Sequence, residues 1–185
     1  MNRVGEFEKV SFEQFYSAMR DEFFTEKPVL TDDNASNEDE FRAYVKDMYD
    51  KIELPKRATS GSAGYDVKSP FSFSLIVGEV IKIPTGIRVK IEDGWFLAAL
   101  PRSGLGFKHG LRVLNTVGII DSDYYYSDNE GHIFIKIKKG FENENPLVVN
   151  SGDGFAQVIF LPYGITESDD AQGVRNGGFG STDKK

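Results

Sequence analysis

The chain has 185 residues, within the usual range for one domain, and carries a net charge of −7 with a pI near 4.9. This charge repels polyanions, so we expect no nucleic-acid binding; the lack of cysteine excludes disulfides, thiolate metal sites and cysteine nucleophiles. The N-terminal residues do not resemble a signal peptide, and no apolar run is long enough to cross a bilayer. We therefore expect a cytoplasmic protein that does not bind membranes.

The first fifty residues have apolar side chains at helical spacing. Ser11 to Gln14 has the form of a capping box, in which the serine oxygen and the glutamine side chain satisfy free backbone N–H groups. The spacing predicts one helix from about Phe12 to Phe24 and another from Glu38 to Ile52. Residues 1–50 are therefore predicted to form a helical N-terminal extension.

From Tyr65 onward the apolar period changes to two. Residues 87–91 and 133–138 alternate apolar with basic or aromatic side chains, and glycine- or proline-containing turns separate the short runs. This pattern predicts an all-β sandwich, jelly roll or barrel over residues 51–185. Strands and helices do not alternate, which argues against a parallel α/β nucleotide fold.

Five segments interrupt the strand pattern with residues that fill a core poorly. They are residues 63–67, 101–106, 115–124, 152–157 and 175–182. Each segment alone has a simpler explanation, such as a surface turn or a disordered terminus. Their combination and their order are more informative than any one of them.

Two of these segments carry side chains suited to phosphate chemistry. Arg102 and Ser103, between a proline and glycines, can present a guanidinium group, a hydroxyl and bare backbone N–H groups to phosphate oxygens. Asp121 follows two isoleucines, so we expect its carboxylate at the end of a buried strand, where partial desolvation can tune it as a base. In the tail, Phe179 is suited to cover a nucleotide base.

In this order, the five segments resemble the five motifs of the trimeric dUTP pyrophosphatase (dUTPase) family, from near Leu54 to the C-terminus. The resemblance implies a jelly-roll-like β-barrel subunit, a homotrimer with active sites at subunit interfaces, and a flexible C-terminal arm over residues 164–185. It implies Mg²⁺-dependent hydrolysis of dUTP to dUMP and pyrophosphate. This reaction limits uracil incorporation into DNA and supplies dUMP for dTMP synthesis.

The same resemblance implies a role for each matching residue. Asp121 would orient the water that attacks the α-phosphorus, Tyr124 would pack on the deoxyribose and exclude a 2′-hydroxyl, and Phe179 would stack on uracil. Strand edges of the third motif would contact uracil, and the second, fourth and fifth motifs would bind the phosphates. These further substrate contacts are Arg102, Ser103, Gly104, Asn115, Gly118, Ile119, Ile120, Phe134, Gln157, Arg175, Gly180, Ser181 and Thr182.

The implied cofactor is Mg²⁺, held by the three phosphates and by water without a direct protein ligand. Asp66 would support the hydrated metal. The histidines are expected to have other roles: His109 local hydrogen bonding and His132 a structural one. Without a second histidine or a cysteine nearby, we expect no zinc site.

Four features depart from the family pattern. Gly154 stands where an arginine is usual, and Asp183 stands where the final glycine is usual. Arg175 lies one residue closer to the paired glycines than in many members. Extra residues separate Tyr124 from Gly131. These departures affect substrate contacts and leave the base and the sugar contact in place.

Two alternative functions remain open from the sequence. A dCTP deaminase, or a bifunctional deaminase and dUTPase of the same fold, would need a glutamate in the strand after the third motif, and residues 133–138 contain no acid. A regulatory protein on the same scaffold would use the N-terminal extension to bind a protein partner. The simpler interpretation of residues 1–50 is that their aromatic stripes cover an apolar patch on the protein's own trimer.

Overall fold

The computed structural model describes residues 2–24, 38–173 and 175–176. The N-terminal part contains strand β1 (Gly5–Lys9) and helices α1 (Phe12–Phe23) and α2 (Glu38–Lys51). The strands that follow are β2 (Tyr65–Lys68), β3 (Phe73–Leu75), β4 (Val80–Pro84), β5 (Ile87–Ile91), β6 (Trp95–Pro101), β7 (Arg112–Val113), β8 (Gly118–Ile120), β9 (Phe134–Lys138), β10 (Leu147–Val149) and β11 (Gly154–Pro162). A short helix, α3 (Ser103–His109), follows β6, and a 3₁₀ helix (Ser122–Tyr126) follows β8.

The strand pairings within the described part of the chain are all antiparallel. One sheet has the order β2-β11-β6-β8, a second has the order β4-β9-β7, and two pairs, β1-β5 and β3-β10, complete the arrangement. The apolar faces of the sheets enclose one core. The predicted all-β, jelly-roll-like fold with two N-terminal helices is confirmed.

Strand β1 was not predicted, because its five residues contain one aromatic side chain and no run of apolar residues. It pairs with β5 so that Glu6 lies opposite Lys90 and Glu8 lies opposite Arg88. Opposite charges that face each other across two strands stabilise the pair, and β5 contributes the basic side chains. The partner strand lies about eighty residues further along the chain, so no local pattern reveals the strand.

The two N-terminal helices share the core of the β domain. Their buried side chains belong to the same apolar cluster as Ile83, Leu97 and Ile135 of the sheets. These helical residues are Phe15, Tyr16, Met19, Phe23, Phe41, Val45 and Met48. The helices therefore cover an apolar surface of their own chain, as their aromatic stripes suggested.

The predicted capping box forms only in part. The Ser11 hydroxyl accepts a hydrogen bond from the Gln14 backbone N–H at 3.1 Å, as expected. The Ser11 backbone N–H, however, donates to a Glu130 carboxylate oxygen at 2.7 Å instead of to the glutamine side chain. A carboxylate is the stronger acceptor, and the hairpin before β9 brings it to the helix N-terminus.

Beyond β11 the chain contains no further helix or strand within its described residues. Residues 163–173 are exposed, and Arg175 is partly buried. No helix in the described ranges is long and apolar enough to cross a membrane.

Candidate active site

A pocket of about 440 Å³ opens between β8 and β9, within the size range of small-molecule sites. Its wall contains the residues predicted to contact uracil and the sugar, and one residue predicted to bind phosphate. These residues are Asn115, Gly118, Ile119, Ile120, Tyr124, Phe134 and Arg175. The structure therefore gathers the third motif and the beginning of the fifth motif around one cavity.

Strand β8 forms one side of this pocket because it is the edge strand of its sheet. Gly118 lies opposite Ala99 of β6, and a Cβ at position 118 would be 3.1 Å from the Ala99 Cβ. Thr116 has a φ of 67°, which is costly for a β-branched residue. The Val117 N–H donates to the Asn115 carbonyl at 2.7 Å, so this tight turn holds Asn115 against the pocket.

Tyr124 is held in the pocket wall by its hydroxyl group. The ring is 5% exposed, and its hydroxyl donates to the His132 carbonyl at 2.7 Å and accepts from Asn129 Nδ2 at 2.8 Å. Burial raises the pKa of Tyr124, so the phenol stays protonated at neutral pH. The ring is therefore fixed at two points and is suited to act as a rigid wall.

Asp121 lies at the edge of the pocket, directly after Ile120. It is the residue before the 3₁₀ helix, and its side chain is 44% exposed. The Arg175 Nη2 donates to Asp121 Oδ2, and the Arg175 Nε donates to Asp123 Oδ1 at 2.8 Å. The carboxylate predicted to be the base is thus paired with a cation of the C-terminal segment.

The residues of the first, second and fourth motifs form a separate group. Arg102 Nε lies 3.1 Å from Asp66 Oδ1, and its Nη1 donates to the Gly154 carbonyl at 3.0 Å. Gln157 pairs with Asp66 across β11 and β2, and its Nε2 donates to the Pro101 carbonyl at 3.1 Å. We call Asp66, Arg102 and Gln157 the polar cluster.

Helix α3 begins beside the polar cluster. Arg102 occupies its N-cap position, and Ser103 and Gly104 are its first two residues. The first backbone N–H groups of a helix have no carbonyl partner within the helix. The N–H groups of Ser103 and Gly104 are therefore free to donate hydrogen bonds to an anionic ligand. The sequence pattern did not predict this helix, and phosphate binding by Arg102, Ser103 and Gly104 stays a prediction.

Gly154 lies directly beneath the Arg102 side chain. A Cβ at position 154 would lie 2.7 Å from Arg102 Nη1 and 3.2 Å from Arg102 Cδ. The Arg102 side chain therefore packs over a backbone position that only glycine leaves free. The Arg102 guanidinium group therefore occupies the space beside the fourth motif.

The polar cluster lies outside the pocket wall in the described part of the chain, although Gln157 pairs with Leu100, the neighbour of the pocket residue Ala99. Asp66, Arg102, Ser103, Gly104 and Gln157 are absent from the residues that line the pocket in the described part of the structure. The remaining predicted contacts lie outside the described residues. They are Phe179, Gly180, Ser181 and Thr182.

Several residues at or near the pocket were not predicted to have a role there, and three of them carry polar groups. Lys136 lines the pocket, Asn129 holds the Tyr124 hydroxyl, and the Tyr125 hydroxyl reaches the N-terminal extension. Asn129 and Tyr125 belong to the extra residues after Tyr124, which the sequence showed to be unusual without indicating their contacts. Nothing in the sequence distinguishes Lys136 from the other residues of an alternating strand.

His132 is structural, as predicted from the sequence. It is fully buried, and its Nε2 accepts a hydrogen bond from the Gly86 N–H at 2.9 Å. Burial lowers the pKa of His132 from 6.5 to about 3, so the ring is neutral. Its centroid lies 4.4 Å from that of Phe134, which lines the pocket.

No group of three potential metal ligands occurs among the histidine, aspartate and glutamate residues that the structure describes. Asp66 presents a partly exposed carboxylate, and Arg102 occupies one of its oxygens. A partly exposed carboxylate suits a hydrated divalent cation, because hard cations prefer oxygen ligands and Mg²⁺ keeps much of its water. The residues therefore fit a supporting role toward Mg²⁺.

An antiparallel β fold with a small-molecule pocket at a sheet edge and a nearby polar cluster defines a jelly-roll-like ligand-binding protein. The sequence model of the dUTPase family matches residues 50–183. This match covers well over half of the chain, so the chain belongs to the dUTPase family.

Individual relatives agree with this membership. Deoxyuridine 5′-triphosphate nucleotidohydrolase of Lactococcus lactis subsp. lactis (strain IL1403) is 40% identical over 134 residues, which cover 71% of this chain and 88% of the relative. That of Desulfitobacterium hafniense (strain DSM 10664 / DCB-2) is 39% identical over 151 residues, covering 76% and 93%. The crystal structure of dUTPase from Streptococcus mutans superimposes with a TM-score of 0.55 at 35% identity and covers 62% of this chain and 89% of that chain.

Proposed function

We propose that this protein hydrolyses dUTP to dUMP and pyrophosphate. The observation that carries the proposal is the position of Asp121 at the edge of a nucleoside-sized pocket whose wall contains Asn115, Gly118, Ile119, Tyr124 and Phe134. Family membership and the relatives described above support the same reaction. The products would limit uracil incorporation into DNA and supply dUMP for dTMP synthesis.

The reaction is an in-line displacement at the α-phosphorus. The Asp121 carboxylate accepts a proton from water as the water oxygen bonds to phosphorus. The bond from the α-phosphorus to the bridging oxygen breaks, and the electron pair leaves with pyrophosphate. No covalent bond forms between Asp121 and the substrate, because Asp121 orients the attacking water and accepts its proton.

The base is recognised in the pocket between β8 and β9. Gly118, Ile119 and Phe134 supply backbone groups there, and Ile120 and Asn115 complete the wall. Backbone donors and acceptors matched to uracil reject cytosine, because the exocyclic amine of cytosine leaves buried polar groups unpaired. The Tyr124 ring packs on the deoxyribose and leaves no room for a 2′-hydroxyl.

The triphosphate is bound by the polar cluster and by the start of α3. Arg102 and Gln157 donate hydrogen bonds to phosphate oxygens, and Ser103 and Gly104 contribute backbone N–H groups. Mg²⁺, if bound with the triphosphate, would neutralise part of its charge and make the α-phosphorus more electrophilic. Asp66 would accept hydrogen bonds from the water of that hydrated cation.

The C-terminal segment closes the site. Arg175 exchanges its pairing with Asp121 for a contact with the phosphates, and Phe179 stacks on uracil. Gly180, Ser181 and Thr182 add donors to the terminal phosphate.

The active protein is a homotrimer with sites between subunits. Support comes from the family membership and from the position of the polar cluster outside the pocket wall of the same chain. In this proposal a second copy supplies the phosphate-binding residues. Large apolar side chains remain exposed on a single chain, among them Phe107 at 88% and Phe141 at 78%, and an assembly would bury part of them.

Pyrophosphate release from dUTP, dTTP, dCTP and UTP in the presence of Mg²⁺ tests the proposal. We expect turnover of dUTP alone, and a loss of about a hundredfold or more in Asp121→Asn, the contribution of a positioned base. Asp47→Asn changes an exposed residue of α2 that pairs with Lys51, and it is the matched control. Ammonia release from dCTP would instead support the deaminase, and full activity of Asp121→Asn would exclude its role as base.

A further inference from the structure

The hairpin between β8 and β9, residues 121–133, is held by the N-terminal extension at three places. Both features are additions to the family pattern inferred from the sequence. The hairpin also contains Tyr124, the proposed sugar contact. The contacts of the hairpin with β1 and α1 therefore bear on substrate selection.

The first contact joins Glu130 to the N-terminus of α1. One carboxylate oxygen accepts from the Ser11 N–H at 2.7 Å, and the other accepts from the Ser11 hydroxyl at 2.6 Å. Glu130 has a φ of 58°, so the backbone adopts a left-handed conformation to present this side chain. Two hydrogen bonds to one carboxylate fix both the position and the orientation of the turn.

The second contact joins Tyr125 to β1. Its hydroxyl donates to Glu8 Oε2 at 2.9 Å, and the same oxygen accepts from Arg88 Nη2 at 2.7 Å. The Arg88 guanidinium also lies 4.5 Å from the centre of the Tyr125 ring. The Tyr125 hydrogen bond, followed by the effect of Arg88, lowers the pKa of Glu8, so this carboxylate is ionised at neutral pH.

The third contact joins His132 to α1 and to the turn beneath it. The Phe15 ring lies 6.2 Å from the His132 ring, and Gln14 Nε2 lies 3.5 Å from His132 Nδ1. The Gly86 N–H donates to His132, and the Gly86 carbonyl accepts from the Val10 N–H at 3.0 Å. The extension thus contacts His132 directly through Gln14 and Phe15 and indirectly through Gly86.

These anchored residues are the ones that hold Tyr124. The Tyr124 hydroxyl donates to the His132 carbonyl and accepts from Asn129, the neighbour of Glu130. A Cβ at Gly131 would lie 2.9 Å from the Tyr124 carbonyl oxygen, so the return of the turn packs directly under the Tyr124 backbone. A displacement of the turn at Glu130 must therefore move the ring or break its hydroxyl contacts.

We propose that the N-terminal extension positions Tyr124 through Glu130 and Tyr125, and thereby sets the discrimination between deoxyribose and ribose triphosphates. The inference rests on the proposed function, in which Tyr124 contacts the sugar. Glu130 and Tyr125 are positioning residues, because they act through Tyr124 and do not line the pocket. The extension is then a specificity element as well as part of the core.

The test compares kcat/KM for dUTP and UTP in the full-length chain. Glu130→Asn is the principal variant, since asparagine tolerates the left-handed backbone and its shorter side chain does not span the distance to Ser11. We expect the dUTP/UTP ratio to fall by about tenfold or more, the loss associated with a charge-assisted hydrogen bond, through a higher kcat/KM for UTP. Tyr125→Phe removes only the hydroxyl and should lower the ratio in the same direction.

Two matched variants separate positioning from stability. Glu13→Asn removes an acidic side chain of α1 that pairs with Arg42 on α2, away from the hairpin, and should leave the ratio within about twofold of wild type. Glu130→Gln keeps the length needed to reach Ser11 but has no charge and one acceptor oxygen, so its dUTP/UTP ratio should fall between those of wild type and Glu130→Asn. An equal fall in the dUTP/UTP ratio in Glu13→Asn and Glu130→Asn would overturn the inference.

Tyr124→Ala distinguishes failure of the inference from failure of the proposed sugar contact. Suppose that Tyr124→Ala hydrolyses UTP, whereas Glu130→Asn does not and only has a lower melting temperature. The extension then only stabilises the fold, and the inference is wrong. If Tyr124→Ala still rejects UTP, the proposed sugar contact fails, and the inference fails with it. Absence of dUTP turnover in the wild type would refute the proposed function itself.

Discussion

Arg175 forms a bridge from the C-terminal segment to Asp121, and its Nε also donates to Asp123 at 2.8 Å. The side-chain amide of the neighbouring Asn176 lies beside the Asp128 carboxylate in the hairpin. The C-terminal segment therefore lies along the acidic side of the hairpin. A single guanidinium group pairs with the proposed base and also lines the pocket.

Removal of the Arg175 guanidinium group should impair turnover of dUTP. We expect Arg175→Gln to lower kcat/KM by about ten- to a hundredfold, because charge-assisted hydrogen bonds that anchor the segment over the pocket are lost. Deletion of residues 175–185 should reduce activity further and leave the oligomeric state unchanged by light scattering. Arg112→Gln, which breaks an exposed ion pair with Glu142, is the control. A rise in kcat/KM would instead show that Arg175 restrains Asp121.

A methyl group at position 154 should weaken substrate binding. Gly154→Ala places a Cβ against the Arg102 guanidinium, which must move away from the Gly154 carbonyl and Asp66. We expect the KM for dUTP to rise by about tenfold, with little change in melting temperature, because the arginine is flexible. Gly61→Ala adds a methyl group that meets no atom within 4 Å and serves as the control. An unchanged KM would show that Arg102 does not bind phosphate from this position.

Protonation of His132 should destabilise the fold below neutral pH. Its pKa is about 3 in the folded protein and 6.5 in the unfolded chain, so between these values the unfolded chain binds the extra proton. The stabilisation is therefore complete above pH 6.5 and is lost as the pH falls. The free energy of unfolding should decrease by up to about 1.4 kcal/mol per pH unit.

Urea unfolding between pH 7.5 and 5 measures this effect. The pKa values of Glu8, Glu53 and Glu142 are lowered from 4.5 by their hydrogen bonds, so their contribution is lost only at lower pH. His132→Gln keeps an acceptor for the Gly86 N–H and cannot titrate, and its stability should vary less over this range. Equal slopes for the two proteins would contradict the assignment.

Truncation of Phe15 should destabilise the whole protein, because the N-terminal helices share the core of the β domain. Phe15 is fully buried and packs against Tyr49 and His132. We expect Phe15→Ala to lower the free energy of unfolding by about 3–5 kcal/mol, and Phe15→Leu to cost less because it leaves a smaller cavity. Urea unfolding at pH 7.5 provides the measurement. A loss of under about 1 kcal/mol would mean that α1 is peripheral to the core.

Much of the secondary structure could be predicted because its cause is local. The apolar spacing of α1 and α2 and the alternation of β5 and β9 are visible within a few residues. The capping box was right where it depended on near neighbours, at Ser11 and the Gln14 N–H. It was wrong where the partner, Glu130, lies 119 residues away.

The sequence by itself determined the periodicity of the elements and the order of the five motifs, because both depend on residue types at short spacing. Those motifs identified the residues around the pocket, including Asn115, Gly118 and Tyr124. The sequence also marked Gly154 and the residues after Tyr124 as unusual. It could not say what these residues contact.

Only the tertiary structure decided which distant groups meet. It joins β1 to β5, Glu130 to Ser11, and Arg175 to Asp121, and it places Arg102 against Asp66 and Gly154. The physical reason is that hydrogen bonds and ion pairs are short-ranged, so they form between whichever polar groups the packing of the core brings together. The local sequence determines the secondary structure and the polar groups of each segment. The packing of the fold determines which of those groups form contacts with each other.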